Sequence, residues 1–149
     1  MNQINSLGGW GEFASLGMVE DGYENWESTK YQATHHQFVA CAKATKLAHE
    51  IDAGMQIGMM LGDDALYPAT CRPEDVFANT QRMQMSIYFY SDVLLRGEYP
   101  GYALRYFKDH QIQIHAKEEE LKLLKGTPCR FSLLLLLLHP NRRCVAASA

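Results

Sequence analysis

Several features of secreted, membrane-bound and zinc-binding proteins are missing from this sequence of 149 residues. Its four cysteines lie far apart without a Cys-x₂-Cys pair, which favours free thiols over a disulfide framework or a zinc site. No basic segment followed by an apolar run opens the chain, so no signal peptide is predicted. The longest apolar run, residues 131–138, is far shorter than the roughly 20 residues of a membrane-spanning helix. We therefore expect a cytoplasmic protein with no membrane partner.

An excess of positive charge is also missing. The 14 Lys and Arg residues are outnumbered by 17 Asp and Glu, which gives a net charge of −3, and the basic residues are scattered. Nucleic acid is therefore not an expected partner. A hydrophobic content of 47% is ordinary for a globular protein and is enough for one modest core. Nothing in the sequence implies a metal or an organic cofactor.

Helical periodicity is the main signal in the middle of the chain. Residues 25–51 are predicted to form a helix with Asn25 as N-cap and Gly54 as the stop. His35 and His36 point about 100° apart on such a helix, so they cannot bind one metal ion from one face. We expect one of them to be buried and hydrogen-bonded and the other to lie near the surface. The apolar residues at helical spacing are Tyr31, Phe38, Cys41, Ala44, Leu47, Ala48 and Ile51.

Residues 55–61 are predicted to form a buried parallel strand, followed by a loop at residues 65–72. Asp63 and Asp64 at the strand end fit either a metal or general-base role or turn capping, which is the commoner use of loop aspartates. Pro73 is then expected to open a helix that Gly97 ends. Its Met and aromatic residues favour core packing over a cofactor site, and its predicted buried face comprises Val76, Thr80, Met83, Ile87, Tyr90 and Leu94.

The first five residues form a short polar cluster that is typical of the end of a buried strand. A glycine-rich loop is predicted at residues 6–23, and Trp10 within it either stacks on a sugar or, more commonly, packs the loop down. Shorter helices are predicted at residues 100–107 and 117–125. The order of strands and helices predicts an α/β fold with two to three β/α units.

Six stretches of the chain resemble glycoside hydrolase family 1, specifically its 6-phospho-β-glucosidase branch. They are residues 2–5 (NQIN), 31–40 (YQATHHQFVA), 56–60 (QIGMM), 67–75 (YPATCRPED), 88–92 (YFYSD) and 96–105 (RGEYPGYALR). The resemblance runs over about residues 2–126. It implies a helix-rich fragment of a (β/α)₈ TIM barrel, from the end of strand four through the helices after strand five.

The resemblance also implies a chemistry. Family members are retaining β-glycosidases, in which one carboxylic acid protonates the leaving oxygen and a second carboxylate attacks the anomeric carbon. Asn2 matches the asparagine that hydrogen-bonds the sugar 2-hydroxyl, and Gln3 occupies the position of the catalytic acid/base. A carboxamide cannot exchange a proton in that role. Plant thioglucosidases of the family carry Gln at this position, so Gln3 alone does not prove that the enzyme is inactive.

The resemblance stops after Lys125, where six consecutive leucines replace the family's sixth strand. One allowed codon choice for residues 129–140, read one base later, encodes Ala-Asp-Phe-Leu-Ser-Phe-Ser-Tyr-Tyr-Tyr-Thr, which is close to that strand. A frameshift near residues 125–127 would explain this, and the alternative is a genuine leucine-rich helix or strand. We therefore divide the chain into a partial glycosidase domain, residues 1–127, and an aberrant tail, residues 128–149.

Three functions remain open from the sequence. The chain is a piece of an enzyme for 6-phospho-β-glucosides that is inactive alone, because the nucleophile and the phosphate-binding loop are expected outside it. It is otherwise a non-catalytic fragment that completes a split barrel with a complementary chain, or a pseudogene product. The choice of sugar and aglycone and the oligomeric state do not follow from the sequence.

Overall fold

A computed structural model describes residues 22, 24–64, 66–127, 131–137 and 143–145 of the chain. This part of the protein is rich in helix. The helices are α1 (Trp26–Ile51), α2 (Pro73–Met83), a π-helical turn (Gln84–Tyr88), α3 (Phe89–Arg96), α4 (Gly101–Asp109) and α5 (Glu118–Gly126). The strands are β1 (Gly58–Asp64), β2 (Leu66–Pro68), β3 (Phe131–Leu137) and β4 (Arg143–Val145). None of the described helices is both long and apolar enough to cross a membrane.

The start of α1 is as predicted. The Asn25 side chain accepts a hydrogen bond from the backbone N–H of Ser28 at 3.0 Å, which satisfies one of the free donors of the first turn. The helix ends at Ile51 as predicted, but its C-cap is Asp52 and not Gly54. The Asp52 carboxylate then accepts the backbone N–H of Gly54 at 2.8 Å, so Gly54 belongs to the turn after the helix.

Only some of the apolar residues at helical spacing in α1 are buried. Tyr31, Phe38 and Ala42 face the core, whereas Leu47 and Ile51 are exposed. The helix carries apolar residues on two opposite sides, since positions 47 and 51 lie about half a turn away from position 38. Sequence periodicity could not choose between the two sides because the buried side also contains polar residues, namely Lys30, Thr34, His35 and Thr45.

Two small parallel sheets accompany the helices. β1 pairs with β3, with Gly58 opposite Phe131 and Asp64 opposite Leu137. The predicted parallel strand is therefore confirmed, although it lies three residues further along the chain than expected. The predicted loop at residues 65–72 contains the short strand β2, which pairs in parallel with β4. The leucine run thus takes part in a strand in this structure.

The helix that begins at Pro73 is interrupted by the π-helical turn. Its first turn is fixed by Thr70, whose hydroxyl donates to the Asp75 carboxylate at 2.5 Å and accepts the Arg72 N–H at 3.1 Å. A π-helical turn contains one extra residue, which rotates the side chains of the preceding helix relative to those of the following one. The predicted continuous buried face is wrong for this reason: Ile87, Tyr90 and Leu94 are buried as expected, but Val76 and Thr80 are exposed.

One aromatic cluster joins the helices. Phe89 lies at its centre, with ring centroids of Tyr31, Phe38, Tyr90 and Phe107 between 5.5 and 5.9 Å away. The two short helices predicted at residues 100–107 and 117–125 are present as α4 and α5, displaced by one or two residues. Among the described residues, the buried members of this core cluster are Tyr31, Phe38, Ala42, Phe89, Tyr90, Val93, Leu94, Ala103, Phe107, Ile112 and Leu124.

Gly97 ends α3 as predicted and permits the close approach of α5. It has φ +71°, and a Cβ atom there would lie 2.4 Å from the Leu124 carbonyl oxygen. We expect Gly97→Ala to lower the free energy of unfolding by about 2–3 kcal/mol, because left-handed strain and a backbone clash add together. Urea unfolding followed by circular dichroism measures this change.

Gly101→Ala is the matched control for Gly97→Ala. A Cβ at Gly101 meets no atom within 4 Å, so its effect is expected within about 0.5 kcal/mol. Equal effects of the two substitutions would contradict the close approach between Gly97 and α5.

Candidate functional site

The two residues to which the family resemblance assigns a site role, Asn2 and Gln3, lie outside the described residues, as does Trp10. Their roles therefore remain predictions. Near the expected site, the structure describes the backbone of the strand ends.

The carboxyl ends of β1 and β3 lie side by side. Asp63 is opposite Leu136 and Asp64 is opposite Leu137, so both strands end at the same edge of the sheet. Catalytic groups of TIM-barrel enzymes occupy this edge. The side chains of Asp63 and Asp64 are outside the described structure, and the choice between a catalytic and a capping role for them stays open.

A polar network of the described residues is centred on the buried His35. The His35 ring is fully buried, with Nδ1 2.8 Å from the Tyr99 hydroxyl and Nε2 3.4 Å from Glu120 Oε2. His36 is exposed, and its Nε2 lies 3.0 Å from Gln32 Nε2. The prediction of one buried, hydrogen-bonded histidine and one near the surface is confirmed.

The pKa values of Glu120 and Tyr99 are shifted in opposite directions, for different reasons. The Lys117 backbone N–H and the His35 ring hold the pKa of Glu120 below its ordinary value of 4.5. Burial, with a smaller effect of the Glu120 charge, raises the pKa of Tyr99, so its hydroxyl stays protonated at any physiological pH.

The His35 network has a structural role, because its hydrogen bonds hold three segments of the chain together. Tyr99 and Glu120 both contact His35, so the three residues connect α1, the turn before α4, and α5. Sequence reasoning expected a buried histidine but missed both partners, because they lie 64 and 85 residues further along the chain. No local pattern indicates contacts of that separation.

A second polar contact fixes α4 against α3. The Tyr102 hydroxyl donates to Asp92 Oδ2 at 2.8 Å, and the Asp92 carboxylate also pairs with Arg96 at 3.3 Å. Burial, followed by the hydrogen bond to Asp92, raises the pKa of Tyr102. In the part of the chain that the structure describes, no three His, Cys, Asp or Glu residues come together in a way that could hold a metal ion.

Comparison with known proteins gives one family. The sequence profile of Glycosyl hydrolase family 1 matches residues 6–134. The match therefore begins after Asn2 and Gln3 and extends into the leucine run.

Individual relatives agree with the family match. The chain is 41% identical over 115 residues to the 6-phospho-beta-glucosidase AscB of Escherichia coli, covering 77% of this chain and 24% of AscB. It is 43% identical over 113 residues to the aryl-phospho-beta-D-glucosidase BglH of Bacillus subtilis, covering 76% of this chain and 24% of BglH. The chain thus spans about a quarter of the length of these curated relatives.

Solved structures show the shared fold. A family 1 β-glucosidase from Thermotoga maritima superposes with a TM-score of 0.60 at 20% identity, over 77% of this chain and 25% of that one. A β-glucosidase from Exiguobacterium marinum gives 0.61 at 22% identity, over 79% and 27%. The fold of these neighbours is the TIM barrel. The described residues form a helix-rich part without a closed barrel, and on the family match and its relatives the chain belongs to Glycosyl hydrolase family 1.

Proposed function

We propose that this chain is part of a β-glycosidase that hydrolyses 6-phospho-β-glucosides in the cytoplasm, without a metal or organic cofactor. The observation that carries the proposal is its identity of 41% and 43% with two enzymes named as phospho-β-glucosidases. The TM-scores near 0.6 with β-glucosidases support the same conclusion at the level of the fold.

The proposed mechanism is the retaining one. A family nucleophile attacks the anomeric carbon from a later strand, and the acid/base position lies at the end of the fourth strand. In this chain that position is Gln3, which can orient the leaving oxygen but cannot protonate it. Asn2 is assigned to the sugar 2-hydroxyl. Hydrolysis then depends on substrates with good leaving groups.

We further propose that the chain on its own is inactive. It spans about a quarter of its relatives, and a two-carboxylate mechanism needs a nucleophile that the family places beyond the matched region. We expect the purified chain to release no p-nitrophenol from p-nitrophenyl 6-phospho-β-glucoside above a blank without protein. The measurement is absorbance at saturating substrate over many hours.

AscB assayed in parallel shows that the substrate and the buffer are competent. Turnover by the purified chain that survives a second chromatographic step would contradict the proposed inactivity. Such turnover would leave the family membership untouched, so the two conclusions are tested separately.

The exposed apolar residues support a second candidate function, a non-catalytic fragment that completes a split barrel. On α1 the exposed residues Ala40, Ala44, Leu47 and Ile51 follow each other at spacings of four, three and four, which is a helix-packing stripe. Leu47 is 58% exposed and Ile51 is 73% exposed. The natural partner of such a stripe is a chain that carries the remaining barrel units.

Charge placed in this stripe distinguishes the second candidate from the first. If a complementary chain binds there, Leu47→Glu should prevent co-purification of the two chains. Leu104→Glu, at a similarly exposed leucine on α4, serves as the matched control. Binding that survives the first substitution would contradict a docking role for the stripe.

The division at residue 127 and the origin of the tail remain proposals as well. The strand β3 forms next to β1 although its residues are mostly leucine, which are weaker strand formers than β-branched and aromatic residues. A shift of reading frame that replaced an aromatic strand by leucines is one origin of this composition, and a genuine leucine strand is the other. Sequencing of codons 120–149 decides between them, because only a frameshift leaves the family's strand in the next frame.

A further inference from the structure

The Glu120 carboxylate accepts two hydrogen-bond donors at once. Its Oε2 atom lies 2.9 Å from the backbone N–H of Lys117 and 3.4 Å from His35 Nε2. The first contact caps the N-terminus of α5, and the second joins α5 to α1. One carboxylate oxygen therefore both caps the N-terminus of α5 and docks α5 against α1.

The partner in α1 cannot easily turn away from this contact. His35 is fully buried, and its other ring nitrogen, Nδ1, is engaged by the Tyr99 hydroxyl at 2.8 Å. A buried ring nitrogen without a partner is costly, because no water is available to replace the lost hydrogen bond. The position of the ring thus fixes where the Glu120 carboxylate must lie.

Besides Glu120, α5 contacts the body of the protein through the partly buried Leu123 and through an exposed ion pair, 3.7 Å long, between Lys125 and Glu98. An exposed pair of this kind contributes little to stability. Leu124 is its one buried residue, and the helix passes directly over Gly97 at the end of α3. Glu118 and Glu119 are exposed, and Glu118 pairs with Lys122 within the same helix. In the chain α5 is followed by β3, which pairs with β1.

We propose that the Glu120 carboxylate is an acid-released latch that docks α5, and with it β3, on the body of the protein. The groups that face it are His35 from α1, Tyr99 from the turn before α4, and Lys117, the N-cap residue of α5, while His36 lies beside His35. Protonation turns the carboxylate into a weak acceptor that cannot satisfy both donors. This latch does not depend on the proposed enzymatic function.

The direction of the pH dependence follows from the charge state that the contacts favour. The pKa of Glu120 is lower in the folded protein than its ordinary value of 4.5. The stabilisation is therefore complete above pH 4.5 and is lost as the pH falls through the lowered value. Helix α5 should detach in that interval while the aromatic cluster around Phe89 remains packed.

Hydrogen exchange of the complete chain, resolved by residue and corrected for the intrinsic pH dependence, tests the latch. Between pH 6 and pH 3, we expect the protection of α5 amides to fall roughly tenfold more than that of α1 amides, the order expected for one charged hydrogen bond. Glu120→Gln removes the titrating group and should abolish this difference. Glu119→Gln, an identical change at an exposed neighbour, should retain it.

Three results with the wild type or Glu120→Gln would overturn the proposal. They are an unchanged pH profile in Glu120→Gln, loss of α5 and α1 protection at the same pH in the wild type, and α5 amides that are unprotected already at pH 7. Tyr99→Phe supplies an independent variant, because it loosens His35 but leaves the Glu120 carboxylate in place. It should lower the protection of α5 and retain the pH-dependent release, and loss of that release in Tyr99→Phe would also count against the latch.

Discussion

Phe89→Ala is expected to lower the free energy of unfolding by about 3–5 kcal/mol, the range for truncation of a buried aromatic residue. Phe89 is 1% exposed and contacts aromatic rings from α1, α4 and its own helix. Its removal opens a cavity where three helices meet, and the surrounding rings are too rigid to fill it. Urea unfolding of the variant and the wild type, followed by circular dichroism, measures the difference.

Phe77→Ala is the matched control for Phe89→Ala, since it makes the same change on α2. Phe77 is 63% exposed in the structure, so its truncation should change the free energy of unfolding by less than about 0.5 kcal/mol. A Phe89→Ala effect below that of Phe77→Ala would show that the aromatic cluster is not the centre of stability.

The second large effect is expected at Gln3. In a chimera in which residues 1–126 of this chain replace the matching quarter of AscB, Gln3→Glu should raise kcat/KM for an alkyl 6-phospho-β-glucoside by about 10²–10⁴-fold. A poor leaving group needs protonation, which a carboxylic acid supplies and a carboxamide does not. For a p-nitrophenyl substrate the gain in kcat/KM should be much smaller, because that leaving group departs without a proton.

Gln81→Glu makes the same chemical change at an exposed position of α2 and should leave both rates unchanged. Equal gains with the alkyl and the aryl substrate would contradict the assignment of Gln3 to the acid/base position. The pH profile adds a second readout, since only the Gln3→Glu enzyme should lose activity as the new acid deprotonates.

The features that the sequence predicted correctly are those encoded by neighbouring residues. Asn25 caps α1 through a contact three residues away, and Gly97 ends α3 because few other residues adopt its φ of +71°. The parallel strand after α1 followed from its apolar composition, although its bounds were displaced by three residues. Local rules suffice where the decisive contact is local.

The features that the sequence did not predict depend on distant partners. The apolar side of α1 that includes Leu47 and Ile51 is as regular as the buried one, and only the packing of Phe89 and Phe107 selects between them. The π-helical turn at Gln84–Tyr88 rotates the buried face of α2 relative to that of α3, and it contains no proline or glycine that would have predicted it. The partners of His35, Tyr99 and Glu120, are brought to it by the fold.

For the candidate site, the roles of individual residues were predicted from the family resemblance and not from the residue pattern alone. The polar cluster at the start of the chain suggested a strand end, but the roles of Asn2 and Gln3 came from the resemblance. They stay predictions, since both residues lie outside the described part of the chain. The structure does describe the carboxyl ends of β1 and β3, which lie side by side at one edge of the sheet.

The most direct test of the central claim is the hydrolysis of p-nitrophenyl 6-phospho-β-glucoside by the chimera with AscB. The claim predicts turnover by the folded chimera, none by AscB without the matching quarter, and a preference for this substrate over the unphosphorylated p-nitrophenyl β-glucoside. A folded chimera that hydrolyses neither substrate, even with Gln3→Glu, would contradict the claim that this chain supplies part of a phospho-β-glucosidase.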